Sequence, residues 1–190
     1  LNFLKRNERL KQLAWCWILQ NTMLAVTAGI RNYYYISDYG LAYKRIGVLF
    51  FLLLTLVGLF TLALKIRDRK SFFYLYRING WSACAVLVVM SCFNWDPLIA
   101  SYNLNNFSKE KLDRDFLMSL SHRALPVLIQ HKDVFVKEET SDATGISKQA
   151  SWLQERRRAF MHSYESKSWL SWNYADDRVY HFLASQNEVL

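Results

Sequence analysis

The sequence predicts an all-α membrane protein, with several transmembrane helices followed by a small helical extramembrane tail. Three observations lead there. The long uncharged apolar runs are confined to residues 1–95, the Lys/Arg surplus flanks those runs, and residues 96–190 change to short amphipathic segments. Over all 190 residues the apolar share is 52% and the aromatic share 16%, more than an ordinary soluble domain needs. The mean hydropathy of -0.03 averages two unlike halves.

The strongest span is Ile46–Leu64, IGVLFFLLLTLVGLFTLAL, which carries no charge. Its length approaches the ~20 residues that cross a ~30 Å hydrocarbon core. A second span is expected over residues 78–95, also uncharged, with Trp81 and Trp95 near its ends, where indole rings favour the interface. The remaining one, first in chain order, is expected over residues 13–30, although Gln20, Asn21 and Thr22 sit at its middle. Lipid alone would not satisfy those groups, so this span should pack against other helices. The Gln20–Asn21 pair is then either interhelical bonding or part of a site, and bonding is the simpler account.

Charge divides at the same place. Residues 1–95 hold 12 Lys/Arg against 3 Asp/Glu, and residues 96–190 hold 12 against 13. The basic surplus lies beside the spans, where the positive-inside bias and lipid headgroups account for it, so nucleic-acid binding is not expected. Nine cations, Lys5, Arg6, Arg9, Lys11, Lys65, Arg67, Arg69, Lys70 and Arg77, would lie on one side of the membrane. Six, Arg31, Lys44, Arg45, Lys109, Lys111 and Arg114, would lie on the other. That excess predicts a cytoplasmic Arg67–Lys70 loop and an extracytoplasmic tail.

Between the first two expected spans, Arg31-Asn32-Tyr33-Tyr34-Tyr35 and then Asp38, Tyr39, Tyr43, Lys44 and Arg45 crowd cations and aromatics into what reads as a short loop. Arg31, Tyr39, Tyr43, Lys44 and Arg45, with Gln20 and Asn21, are the candidate ligand or headgroup residues, through charge-assisted bonds and ring stacking. An interfacial aromatic belt with snorkelling cations explains the same cluster without a ligand.

The tail, residues 96–190, reads as short helices. Ser108 or Ser121 are candidate N-caps, Lys111–His131 a helical hairpin, residues 137–149 a flexible connector, and Trp169–Leu183 a last helix. Pro97 disfavours helical geometry at Asp96, so a turn is expected there, and Asp96, Asn103 and Asp113 are expected to be structural residues joining the third span to the tail. Arg156-Arg157-Arg158 reads as a solvated helix face.

Catalytic signals are sparse. His122, His131, His162 and His181 lack the i, i+3 or i, i+4 pairing of helical metal sites, and Asp113 and Asp115 point apart on a helix. Cys16, Cys84 and Cys92 form no metal or redox spacing. No Gly-rich phosphate loop, nucleophile elbow or His-Glu-x-x-His pair occurs. No cofactor or metal is expected, and no catalytic residue can be assigned.

Several motifs nevertheless occur in order. Tyr39-Gly40-Leu41-Ala42-Tyr43-Lys44-Arg45 resembles the Tyr-Gly-Leu-Thr-x-x-Arg signature of an uncharacterised family of bacterial multi-pass membrane proteins, a domain of unknown function. Asp96-Pro97-Leu98-Ile99-Ala100-Ser101-Tyr102-Asn103, Leu112 to Ser121, Ala124-Leu125-Pro126 and Ser171-Trp172-Asn173 resemble its later segments. Ala42 stands where the family usually has Thr, and Ser101 where it has Arg. The resemblance implies the bacterial cytoplasmic membrane and places this chain at the C-terminal part of the family, with further spans upstream as packing partners beside lipid. It implies no reaction. The two functions left open are a membrane scaffold or interaction protein and, alternatively, an enzyme or transporter of lipid-linked or envelope precursors.

Overall fold

The computed structural model describes residues 8–135 and 148–186, and among these every regular element is helical. The chain divides into two compact units, Leu1–Phe93 and Asn94–Leu190.

The first unit holds three long helices, α1 (Glu8–Tyr39), α2 (Tyr43–Arg67) and α3 (Phe72–Cys92), each long and apolar enough to cross a membrane. At 1.5 Å per residue α1 extends about 48 Å, well beyond a ~30 Å hydrocarbon core. The run 13–30 is therefore only its middle. The expected loop from Arg31 to Arg45 is corrected to a three-residue turn, Gly40–Ala42, because nothing between Gly29 and Gly40 stops a helix. Gly40 does stop it. Its φ of 80° is the left-handed conformation that glycine adopts without strain, and its N–H bonds the Ile36 carbonyl at 3.0 Å, a left-handed C-cap.

One seam of α1 faces α2. Ile18, Ala25 and Asn32, seven residues apart, are buried together with Ile36, and on α2 Ile46, Leu59 and Thr61 are buried. After the turn at Asp68–Ser71, the Ser71 hydroxyl caps α3 by accepting from the Tyr74 N–H. The third span thus starts six residues earlier than residue 78 and takes in Arg77, since Phe72–Tyr76 is apolar enough to continue the helix. No residue of α3 is buried. Elsewhere in the unit Leu24, Phe51 and Phe60 are also widely exposed, which suits lipid or further helices rather than water.

The second unit opens with α4 (Trp95–Asn106), which corrects two expectations at once. The third span ends at Cys92 rather than 95, and the chain turns at Phe93–Asn94 rather than at Asp96, which is helical. Pro97 starts this helix instead of breaking it, because an N–H in the first turn has no intrahelical acceptor to lose.

The expected hairpin at Lys111–His131 is instead two six-residue helices, α5 (Arg114–Ser119) and α6 (Leu125–Gln130), joined by a 3-10 turn at His122–Ala124. Asp113 caps α5 through the Phe116 N–H at 2.9 Å, and Ser121 caps the turn through Arg123 N–H. Ser108 only closes a turn through its carbonyl, to the Lys111 N–H.

Then come α7 (Lys148–Glu165) and α8 (Tyr174–Ser185). Of the connector expected at 137–149, residues 137–147 lie outside the described residues, and Lys148 and Gln149 open α7. Trp169–Ser171 is a separate 3-10 turn, because the Asn173 carboxamide caps a fresh helix by accepting from Ala175 N–H. Ile99, Ala100, Ala124, Leu125, Leu128, Phe135 and Leu183 have no exposed surface and form the core of this unit.

Candidate functional site

The candidate ligand residues of the first unit do not converge on a site. Gln20 is exposed on α1, and the neighbouring Asn21 carboxamide donates to the Trp17 carbonyl of its own helix at 2.7 Å. Arg31 lies over the Tyr35 ring at 6.0 Å, one helical turn on. Arg45 turns back on the end of α1, donating to the Tyr39 carbonyl at 2.9 Å and to the Gly40 carbonyl, with its guanidinium 5.8 Å from the Tyr39 ring. A cation there satisfies carbonyls that the helix end leaves free and complements its dipole. Buried Asn32 donates to the Arg45 carbonyl at 3.1 Å and ties the two helices again. Tyr43 and Lys44 are exposed.

A further polar contact, between the second and third helices, comes from residues the sequence did not single out. Asn79 Nδ2 on α3 donates to Thr61 Oγ1 on α2 at 3.0 Å and to the Leu75 carbonyl at 2.9 Å, while Thr61 donates to the Gly58 carbonyl. Their only signal was a polar side chain in an otherwise apolar run, one shared by Thr55 in α2 and by Ser82 and Ser91 in α3.

In the second unit Asp96 is 9% exposed, and its carboxylate accepts from the Ser121 hydroxyl. Asn103, on the same helix, is buried at 5% exposure. Asp113 acts as the N-cap of α5. The triple-arginine run is not one solvated face. Arg156 donates to the Met118 and Leu120 carbonyls and stacks at 4.9 Å on Trp152, and Arg157 donates to the Leu183 carbonyl at 2.7 Å. Successive helical residues point about 100° apart, so a run of three cannot share one face. Burial lowers the Arg156 pKa, and attraction to Asp96 opposes this.

A concentrated polar centre among the described residues has no counterpart in the sequence reading. Asp176, in the first turn of α8 and 6% exposed, is met by two cations, Arg123 and Lys167, and by the His122 ring. Arg123 Nε lies at 3.1 Å from Oδ1, His122 Nε2 also at 3.1 Å from Oδ1, and Lys167 Nζ at 3.2 Å from Oδ2. Burial pushes its carboxyl pKa up, but bonds from His122, Lys167 and Arg123 more than offset this and hold it below its ordinary value of 3.8. The His122 ring stacks on Phe160 at 4.7 Å between centroids.

Beside this centre Asp177 Oδ1 accepts from the Tyr164 hydroxyl at 2.7 Å and from Trp172 Nε1 at 3.3 Å, with His181 Nε2 at 3.7 Å. The bond to Asp177 pushes the Tyr164 pKa up to about 12. Tyr164 also stacks on Tyr180 at 4.5 Å. These contacts tie the 3-10 turn, α7 and α8 together. Each carboxylate is already met by several donors, and among the described residues no three His, Cys, Asp or Glu side chains gather to hold a metal ion.

Three helices fit to cross a bilayer define the class, an all-α membrane protein. Residues 1–131 match the family described as a domain of unknown function, DUF4153, and the chain belongs to that family. No curated protein and no solved structure matches it.

Proposed function

We propose that the protein is a multi-pass scaffold or interaction protein of the bacterial cytoplasmic membrane, with its helical tail on the outer side. The observation that carries this reading is the use of the polar side chains. Arg45 is engaged by the α1–α2 turn, Asn21 by its own helix and Asn79 by Thr61, so these three polar groups are bonded to the protein itself rather than held ready for a substrate. An enzyme or transporter of lipid-linked precursors would need some of them aimed into a shared cavity.

Partners are suggested by the surfaces left uncovered. α3 presents Tyr76 and Trp81 at 72% and 71% exposure, which suits lipid and other transmembrane helices, including spans upstream in the same protein. The nine cations at the chain start and around the α2–α3 turn support a cytoplasmic location for that turn. Reporter fusions after Asp68 and after Ser185 test the topology, and a cytoplasmic signal from the second contradicts it.

Photo-crosslinking from positions 76 and 81 in cells tests the function. Discrete protein adducts are expected. Adducts to lipid alone, with a lipid-linked precursor co-purifying at one per protein, would overturn the scaffold reading in favour of the enzyme or transporter.

A further inference from the structure

The second unit buries its apolar side chains well, with one local exception. Trp169, Leu170, Trp172 and Tyr174 are 82%, 77%, 61% and 64% exposed, four large side chains within six residues. Elsewhere among the described residues of the unit, only Leu98 is a large apolar side chain of comparable prominence, at 41%. A water-facing domain does not leave two indoles, a phenol and a leucine at one tip without an occupant.

The tip is held in shape. Ser171 N–H bonds the Ser168 carbonyl at 2.9 Å and Trp172 N–H the Trp169 carbonyl at 3.2 Å, closing the 3-10 turn. Asn173 then caps α8, and the Trp172 indole is anchored to Asp177. A pre-shaped tip loses little conformational entropy on docking.

Its chemistry is that of a bilayer interface. Trp and Tyr combine a flat apolar body with one polar atom, the pairing enriched at headgroup level. Residues 166–175 contain no Asp or Glu, and their one charged side chain is Lys167, so nothing in the segment repels phosphate headgroups. The bilayer is also the surface always at hand, since Asn94 comes directly after Phe93 at the end of a membrane-embedded unit. Such tethering gives an effective concentration on the order of millimolar, whereas a separate protein would have to be recruited at the expense of its own translational freedom.

We propose that the Trp169–Tyr174 turn is an interfacial anchor that inserts at headgroup level into the bilayer holding the rest of the chain. The anchor fixes which face of the tail turns toward the membrane, and it does so whether the protein is a scaffold or an enzyme.

The test uses the full chain with Cys16, Cys84 and Cys92 replaced by alanine, placed one copy per phosphatidylcholine nanodisc. A polarity-sensitive fluorophore is attached at Leu170→Cys or, as the control, at Gln154→Cys, both exposed positions. Emission from position 170 should shift to the blue, and a lipid bearing a nitroxide near its headgroup should quench it at least twofold more than emission from position 154. Equal quenching of both labels by aqueous iodide, with a water-like spectrum at 170, would overturn the proposal. So would a blue shift seen only in discs holding two copies, which would assign the tip to self-association.

Discussion

Replacing Asp176 with alanine should loosen the tail more than any other single charge removal in it. Bonds from Arg123 and Lys167 at about 1.5–3 kcal/mol each, with one from the His122 ring at about 0.5–1.5 kcal/mol, would nominally sum to about 4–8 kcal/mol. Two terms reduce that figure. The three donors are 34–36% exposed, so water takes them back when the carboxylate goes, and removing a side chain only 9% exposed also relieves its own desolvation. A net loss of about 2–3 kcal/mol remains, against about 5–15 kcal/mol for the stability of a whole domain. At about tenfold per 1.4 kcal/mol, hydrogen exchange of the α8 amides should accelerate about 30- to 150-fold in the reconstituted full chain. Exchange of α2 should not change. The sign of the pH dependence is set by the depressed folded pKa. The contribution of Asp176 is complete above its unfolded value of 3.8 and is lost as pH falls through the lower folded value. The parent tail should therefore shed protection below about pH 4, and the Asp176→Ala tail should lack that component. Acceleration under threefold in α8, with the acid response intact, would refute the view that this carboxylate holds the tail together.

Tyr164 should titrate at about 12, monitored by phenolate absorbance, and Asp177→Asn should return it toward its ordinary value of 10.0. Because that folded pKa is raised, its contribution to tail stability is complete below pH 10 and is lost as pH rises toward 12. Gly40→Ala forces a side chain into the left-handed region at roughly 1–2 kcal/mol, and Arg45→Ala removes the cation from the same helix end. Both should lower the detergent-denaturation midpoint of the first unit, and the pair should combine non-additively. Asn79→Leu with Thr61→Val, in a double-mutant cycle of unfolding in mixed micelles, should give a coupling of about 0.6 kcal/mol and no more than about 1.7. A coupling of zero would mean that the bond does not form in the bilayer.

The helices were legible in the sequence because a run such as Ile46–Leu64 has one physical use. Their ends were not. The segment Arg31–Tyr39 looked like a loop because it is charged and aromatic, yet polarity does not end a helix; a left-handed residue does, and the first available is Gly40. Pro97 misled in the same way, since its effect depends on whether it falls in the first turn of a helix or later. The Asp176 centre was hidden for a different reason. His122 and Arg123 lie 54 and 53 residues from Asp176 along the chain, so no spacing could join them. What the sequence did hold was local: a Ser before His122-Arg123 and an Asn before Asp176-Asp177, both cap signatures that place those charges in first turns. Arg45 was legible as a cation near the membrane surface, but its partners are backbone carbonyls, which carry no sequence signal.

The family match ends at residue 131, within the second unit rather than at its edge. His122 and Arg123 lie inside the matched residues, and Lys167 and Asp176 beyond them. Ala124, Leu125 and Leu128 are fully buried, and the elements packed on them include α7 and α8. Residues 94–131 therefore depend on α7 and α8 for their burial. A truncation after His131 removes Phe135, Leu153, Phe160, Val179 and Leu183, all buried. At about 1.5–3 kcal/mol for each large apolar side chain, the loss is about 8–15 kcal/mol, comparable with the entire stability of such a unit. The truncated protein should still insert, because α1, α2 and α3 are untouched, but α4 to α6 should become protease-sensitive at the membrane surface. Limited proteolysis in membranes, read by mass spectrometry, decides it. Parental protection of residues 94–131 in the truncated chain would show that the matched region folds by itself and that α7 and α8 are a dispensable addition.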